Sequence, residues 1–164
     1  MKHHDLDFLQ AELSRVCEWV QFADKKAAFI AVFYSAIFGF LIAQKKEVLA
    51  QLFWHRHGDV YALLLVGLLA LLVVGVYFLF ATVSPRLKNH NTNRSLFYFG
   101  TVAKMKIEDF LQDIEKLTEE EARRQIAEQI HTNSAIADAK MANIKKSTQA
   151  LLGVGVLLFL LFFL

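Results

Sequence analysis

The sequence predicts an all-α membrane protein with three hydrophobic transmembrane helices and a small helical cytoplasmic module between the second and the third. Of its 164 residues, 55% are hydrophobic, well above the level typical of soluble proteins, while 21% are charged. One Pro and one Cys exclude collagen-like and disulfide-framework folds. The 18 Lys and Arg residues nearly balance 16 Asp and Glu residues, so no basic field suited to nucleic acid is present.

The three predicted spans are segments without Asp, Glu, Lys or Arg. They are 27–44, 60–84 and 147–164, of 18, 25 and 18 residues. A helix needs about 20 apolar residues to cross the hydrocarbon core of a bilayer. The second segment meets this length and the first nearly does. The apolar part of the third has 15 residues, which fits a thin span, a re-entrant helix or a helix buried against a partner. We favour a span, because Phe159 and Phe163 would otherwise face water.

The orientation follows from the positive charges outside these spans. Segments 1–26, 45–59 and 85–146 hold four, three and eleven Lys and Arg residues. Cytoplasmic loops of membrane proteins hold the excess of positive charge. We therefore expect 1–26 to be an amphipathic cytoplasmic helix, 45–59 an outer loop and 85–146 a cytoplasmic helical module.

The first span carries small residues at a regular spacing. The hydrophobic periodicity of 5–26 predicts one helix that continues into this span. Within the span, residues four apart are Ala27, Ala31, Ser35, Gly39 and Ala43. Small residues at this spacing let helix backbones approach closely in lipid. This face predicts packing, either against the second span of the same chain or against another subunit.

Two short motifs mark the predicted membrane boundary. Pro85, followed by Arg86, ends the second span, because proline has no amide donor and disfavours helix in the residue before it. Asp24 precedes two lysines, of which Lys26 is the second. Either the lysines reach the headgroups while Asp24 pairs locally, or the motif joins the first helix to the cytoplasmic module.

The segment between the second and third spans is predicted to be mostly helical. One apolar stripe consists of Ile107, Phe110, Leu111, Ile114 and Leu117. Thr118 with Glu121 three residues later forms a capping box, which predicts that a further helix begins there. No Pro or Gly interrupts the chain from this point to Gly153. We therefore expect the last cytoplasmic helix to be continuous with the third span.

Catalytic signatures are absent from the sequence. It contains no GxxxxGK[ST], GxGxxG, GxSxG or HExxH pattern. His55 and His57 with Asp59 could hold a metal ion, but their position beside Trp54 is more typical of an interfacial girdle. The sequence therefore predicts no enzyme, no catalytic residue and no metal site.

Two groups of residues could bind a small anionic ligand. Arg94 precedes an aromatic run that includes Phe97 and Tyr98. If this run is extended, Phe97 and Phe99 point toward a core and form a hydrophobic plug under the helix bundle. Alternatively, the aromatic run offers a stacking surface for a base, beside the Arg94 cation that can bind a phosphate group. Three polar residues of the last cytoplasmic helix are spaced by four and seven positions, which places them on one helix face. They are Gln129, Asn133 and Lys140. This polar face forms either part of a binding pocket or a polar contact between subunits.

The ordered blocks of the sequence resemble those of a known family. FADKKA, VSPRL, LFYFGTVAKM, IEDFLQDI and SAIADAKM occur in order between about Val20 and Leu164. They resemble the transmembrane Pycsar effectors, the PycTM family. In that family a pyrimidine cyclase answers phage infection by producing cCMP or cUMP, and the effector senses the nucleotide and damages the inner membrane. The matching positions are Asp24, Lys26, Ala27, Pro85, Arg86, Phe97, Phe99, Gly100, Gln129, Ser134, Ile136, Ala137 and Lys140.

The resemblance implies an antiphage effector of abortive infection in the bacterial inner membrane. Its implied partners are the bilayer and a cyclic pyrimidine mononucleotide from a separate cyclase, with cCMP or cUMP as activating ligand, no other cofactor and no nucleic acid. Such a nucleotide needs a cation, a stacking face and polar partners for the base. The candidate nucleotide-binding residues are therefore Arg94, Phe97, Tyr98, Gln129, Asn133 and Lys140.

The size of the predicted module also bears on assembly. Its 62 residues are few to enclose a ligand alone, so we expect a site shared between subunits of a homo-oligomer. Two other functions stay open from the sequence. One is a constitutive membrane scaffold, and the other is a holin-like pore that needs no nucleotide.

Overall fold

The fold is all-helical throughout the described part of the chain. The structure, a computed structural model, describes residues 3–47, 50, 58–84 and 95–163. Its helices are α1 (His3–Ala43), α2 (Gly58–Val83), α3 (Phe99–Val102), α4 (Ile107–Lys116) and α5 (Glu119–Phe163). Helices α1, α2 and α5 are long and apolar enough to cross a membrane. The predicted fold class is confirmed: three helices able to span a membrane, with a helical segment between the second and the third.

The chain divides into two compact units. We call Met1–Phe22 with Pro85–Ala139 the polar unit, and Ala23–Ser84 with Lys140–Leu164 the apolar unit. Helices α1 and α5 contribute residues to both, because neither helix breaks between its first and last residue. The last polar helix and the third hydrophobic segment are thus parts of one helix, α5, as the lack of Pro and Gly predicts.

The apolar unit has one hydrophobic core that α1, α2 and α5 build together. Its buried residues are Ala23, Ala27, Ile30, Tyr34, Leu68, Leu72, Leu79, Ile144 and Val154. Large apolar side chains such as Phe29, Phe80 and Leu152 point outward and are exposed. A bundle that is apolar both inside and outside is the arrangement expected of helices in lipid.

The described residues cover only part of the small-residue face of α1. Ala27 is buried and Ala31 packs against the core, whereas Ser35, Gly39 and Ala43 are exposed. Positions four apart drift around an α-helix by about 40° per step, because one turn takes 3.6 residues. Packing within the chain therefore accounts for the first two positions. Contact with another subunit is the interpretation that stays open for the other three.

A chain of hydrogen bonds joins the three helices inside the apolar unit. The Tyr34 hydroxyl donates to the backbone carbonyl of Ser147, 2.8 Å away. The Ser147 hydroxyl donates to the backbone carbonyl of Gly75, at 2.9 Å. All three residues are buried, and we call them the Ser147 junction. A Cβ atom at position 75 would overlap the Tyr34 phenol, so α1 and α2 can approach this closely only because residue 75 is glycine.

The polar unit is organised around a small core and a helix cap. Its buried residues include Val16, Ser95, Ala122 and Ile126. The Thr118 hydroxyl donates to the Glu121 carboxylate at 2.9 Å and accepts the Glu121 amide at 3.3 Å. Hydrogen bonds from the backbone and then the side chain of Thr118 hold the pKa of Glu121 below its usual range. This geometry confirms the predicted capping box at the start of α5.

Two apolar segments of the polar unit differ from the sequence expectation. Phe99 begins helix α3 rather than continuing an extended run. Phe97 and Phe99 are 38% and 70% exposed, so the expectation that both point toward a core is wrong. The apolar stripe of α4 does form, but α4 has no buried residue, and Ile107, Leu111 and Ile114 are exposed. No residue of the described ranges buries these three side chains.

Replacing Gly75 tests the close approach at the Ser147 junction. We expect Gly75→Ala to lower the free energy of unfolding by about 1–3 kcal/mol, the usual cost of overpacking, because the new methyl group meets the Tyr34 ring. Gly155→Ala is the matched control: a Cβ there meets nothing within 4 Å, so higher helix propensity stabilises by up to about 1 kcal/mol. Thermal unfolding of both variants in detergent measures the difference, and equal stability would contradict the packing described.

Candidate functional site

Of the predicted ligand-binding residues, the aromatic pair lies at the start of α3. Phe97 is exposed, and Tyr98 is half-buried immediately before the helix. The Tyr98 and Phe99 rings contact at 5.0 Å between centroids. These rings therefore present aromatic surface from the polar unit. Arg94, the predicted phosphate cation, lies outside the described residues, as do Pro85, Arg86, His55 and His57.

The predicted amide residues of α5 lie together with the single cysteine. Gln129 Nε2 donates to Asn133 Oδ1 at 3.3 Å, and Asn133 Nδ2 donates to Cys17 Sγ at 3.5 Å. All three side chains are half-buried in the polar unit. The helical spacing of four predicts the first contact. The contact with Cys17 was missed, because the two residues are 116 positions apart and no local pattern connects them.

The predicted lysine of the site is already paired within the chain. Lys140 Nζ donates to Asp24 Oδ1 in an ion pair of the apolar unit. The Lys140 side chain is only 9% exposed, whereas that of Asp24 is 45% exposed. The expectation that Asp24 pairs locally is therefore wrong, while Lys26 is exposed. Lys140 can contact a phosphate group only if it shares or leaves the Asp24 carboxylate.

Residues seven apart on α5 form its inner face. Seven residues make almost two turns of an α-helix, so such positions lie on one side. They are Ile126, Asn133, Lys140, Ser147 and Val154; Asn133 is half-buried and the others are buried. The three polar members each bond a residue of α1, namely Cys17, Asp24 and Tyr34. The seven-residue spacing of Asn133 and Lys140 was visible in the sequence; its continuation to Ser147 was missed.

A polar hollow of about 240 Å³ lies within the polar unit. Its lining residues are Leu96, Asp113, Lys116, Leu117, Glu121 and Gln125. The Gln125 side-chain oxygen accepts the Leu96 amide at 2.9 Å, which fixes the segment just before Phe97 against α5. The hollow was not predicted, since its residues come from three separate segments. It is smaller than the roughly 300–1,000 Å³ of pockets that enclose a ligand.

Metal chemistry has no visible basis in the part of the chain that the structure describes. No group of three or more His, Cys, Asp or Glu side chains there is placed to hold a metal ion.

Residues 8–164 match the family model described as PycTM, the Pycsar effector protein domain. The chain belongs to the PycTM family. Membership supports an effector role in Pycsar antiphage defence, in a system that implies a partner cyclase. PycTM is an effector family rather than a known enzyme family. Together with the three candidate spans, membership makes the chain a multi-pass membrane protein. Comparison with curated proteins and with solved structures gives no match.

The unequal burial of the Asp24–Lys140 pair predicts unequal mutational effects. Asp24→Asn leaves the buried Lys140 ammonium without a counter-charge, so we expect the free energy of unfolding to fall by up to about 3 kcal/mol. The loss stays at or below this value because Asp24 is half-exposed, which reduces the usual cost of breaking a buried pair. Lys140→Met leaves a carboxylate that water can reach and keeps the apolar packing, so its cost is within about 1 kcal/mol. Thermal unfolding in detergent compares them, and a larger effect of Lys140→Met would contradict the burial described.

Proposed function

We propose that this PycTM chain senses cCMP or cUMP made by its partner cyclase and, in response, impairs the integrity of the bacterial inner membrane. The infected cell then stops growing before phage spread, as in abortive infection. The observation that carries the proposal is the family match over residues 8–164. Three helices able to span a membrane support the bilayer as the target.

The proposed nucleotide-binding groups are those the sequence suggests. Arg94 is the cation for the phosphate group, and the exposed ring of Phe97 with the half-buried Tyr98 supplies the stacking surface. Gln129 and Asn133 supply amide groups for the base edge. Lys140 adds a second cation when it exchanges Asp24 for the ligand. The clustering of the two amides supports this assignment.

We further propose that the effector is a homo-oligomer whose subunits share the nucleotide site. The 62 residues of 85–146 are few to enclose a ligand alone, which supports a site completed by a second copy. So does the uncovered apolar stripe of α4, with Ile107, Leu111 and Ile114 exposed, because large apolar patches on a protein surface mark interaction sites.

The proposed response acts through α5. This helix carries Asn133 and Lys140 on the same face as Ser147, without a break between them. A nucleotide that draws the first two away from Cys17 and Asp24 weakens the packing of that face, and the Ser147 junction loosens in turn. Moving a two-state equilibrium from 1:99 to 99:1 needs about 5.5 kcal/mol of differential binding. Several coupled sites in an oligomer reach this value more easily than one site.

The proposed orientation places the N-terminus and 85–146 in the cytoplasm. These segments hold 15 of the 18 Lys and Arg residues, the sum of four and eleven. Excess positive charge is retained on the cytoplasmic side. In this orientation the nucleotide-binding groups are on the side where a cyclase releases its product.

Nucleotide-dependent leakage tests the proposed function. The full chain is reconstituted in dye-loaded liposomes, and cCMP, cUMP, cAMP and cGMP are added separately. We expect dye release with one or both pyrimidine nucleotides and none with the purine nucleotides. Release that is complete before any addition would instead indicate a holin-like pore. If calorimetry detects no binding and no nucleotide causes leakage, the chain is a constitutive scaffold and the proposal is wrong.

Substitutions at the proposed phosphate and base contacts test the site. We expect Arg94→Ala and Phe97→Ala each to weaken nucleotide affinity by about tenfold or more, since charge-assisted hydrogen bonds and base stacking contribute roughly 1–3 kcal/mol. The matched controls are Arg124→Ala and Phe8→Ala, two exposed residues of the same types in the polar unit. Calorimetric titration gives the four affinities. If the controls lose as much as the site variants, these two residues do not form the site.

A bulky residue at Gly39 tests the proposed assembly. Gly39 is exposed in the single chain, so a leucine there fits within one subunit but blocks close approach by another. We expect Gly39→Leu to reduce oligomer size in gel filtration and nucleotide-dependent leakage with it. Gly155→Leu, at a second glycine with open surroundings, is expected to change neither. Unaltered oligomer size in Gly39→Leu would remove this face from the interface.

A further inference from the structure

The apolar unit contains a cavity that the proposed function does not use. It has a volume of about 610 Å³ and lies between the last turns of α1, the first turns of α2 and the last turns of α5. Eight of its lining residues are aliphatic or aromatic, among them Leu41, Leu65 and Leu158. Gln44 and Glu47, which follow the apolar part of α1, supply the polar part of the lining. Most of the cavity lining is thus apolar, and the lining is polar only at Gln44 and Glu47.

The surroundings of this cavity restrict what can fill it. An apolar cavity does not hold water well, because water needs polar partners. An unfilled space becomes more unfavourable as its volume rises. The volume lies inside the range of about 300–1,000 Å³ found for ligand sites. In a multi-pass membrane protein, the apolar molecule present at the highest concentration around these helices is the lipid acyl chain.

The shape and charges of the cavity also favour a lipid over a second copy of the chain. A helix of about 10 Å diameter would place only about five residues in this volume, which is little more than one turn. An acyl chain is thin and flexible and can follow the space between three helices. In the sequence, Lys45 and Lys46 lie between the two polar lining residues, Gln44 and Glu47. Both lysines are exposed, so their ammonium groups can reach the phosphate of a lipid headgroup.

We propose that this cavity binds an acyl chain of a membrane phospholipid, with the phosphate group beside Lys45 and Lys46. The bound lipid completes the packing of the three spans where their own side chains leave a gap. This proposal is independent of nucleotide sensing, so the two can fail separately.

Retention of lipid by the purified protein tests the proposal. The full chain is extracted from bacterial membranes in a mild detergent, and phospholipid per chain is measured by mass spectrometry after gel filtration. We expect the unmodified chain to retain phospholipid and Leu65→Trp, which fills the cavity, to lose most of it. Leu63→Trp is the matched control, because Leu63 is on the same helix and 72% exposed. Equal retention in the two variants would overturn the proposal.

A fluorescence measurement keeps the test decisive if Leu65→Trp fails to fold. Tyr61→Trp and Leu63→Trp are each introduced into a Trp19→Phe, Trp54→Phe background, so that each variant has a single tryptophan. The variants are reconstituted with brominated phospholipid and then transferred to detergent, which removes lipid that is not bound. Bromine quenches tryptophan on contact, so quenching should persist for Tyr61→Trp, at a lining position, and disappear for Leu63→Trp. Loss of quenching at both positions contradicts a bound lipid. A smaller oligomer in Leu65→Trp with unchanged phospholipid would instead identify the occupant as a second copy.

Discussion

The packing of the three spans depends on polar groups that the lipid cannot satisfy. The Tyr34 and Ser147 hydroxyls are buried in a unit whose surface is apolar, so each must find its hydrogen-bond partner inside the protein. They bond backbone carbonyls on neighbouring helices, which fixes the register of α1, α2 and α5 at one level. Gly75 permits this register because it lacks the side chain that would occupy the place of the Tyr34 ring.

Helix α5 links this constraint to the residues proposed for sensing. Apolar contacts tolerate small shifts, since dispersion and burial have little direction, whereas the ion pair of Lys140 and the hydrogen bonds of Asn133 and Ser147 require specific partners. A ligand that competes for one of these partners therefore acts on a discrete contact rather than on a continuous surface. Under the proposed mechanism, the polar residues at intervals of seven on the inner face of α5 supply these discrete contacts. The apolar residues that precede and follow them on the same face maintain the packing.

The sequence predicts those parts of the fold that local physics determines. Uncharged length identifies the three spans, the Thr118–Glu121 spacing identifies the start of α5, and the lack of Pro and Gly identifies its continuity. Contacts between distant residues were not predictable: the partners of Asp24, Asn133 and Ser147 are set by how helices pack. The small-residue stripe of α1 turns around the helix because its spacing is four rather than 3.6 residues, so the core of the apolar unit covers only its first two positions. Phe97 and Phe99 misled because their hydrophobicity suggests burial, while the single chain leaves them exposed.

The most direct test of the account measures whether nucleotide changes the packing of α1 against α5 beside the Ser147 junction. Spin labels at Phe33→Cys and Gln149→Cys in a Cys17→Ser background occupy exposed positions near Tyr34 and Ser147. Labelled chains are diluted with unlabelled chains in liposomes, so that distances within one subunit dominate. The account predicts that saturating cCMP or cUMP lengthens or broadens the distance distribution, whereas cAMP leaves it unchanged. Identical distributions, under conditions where the pyrimidine nucleotide binds and causes leakage, would contradict it.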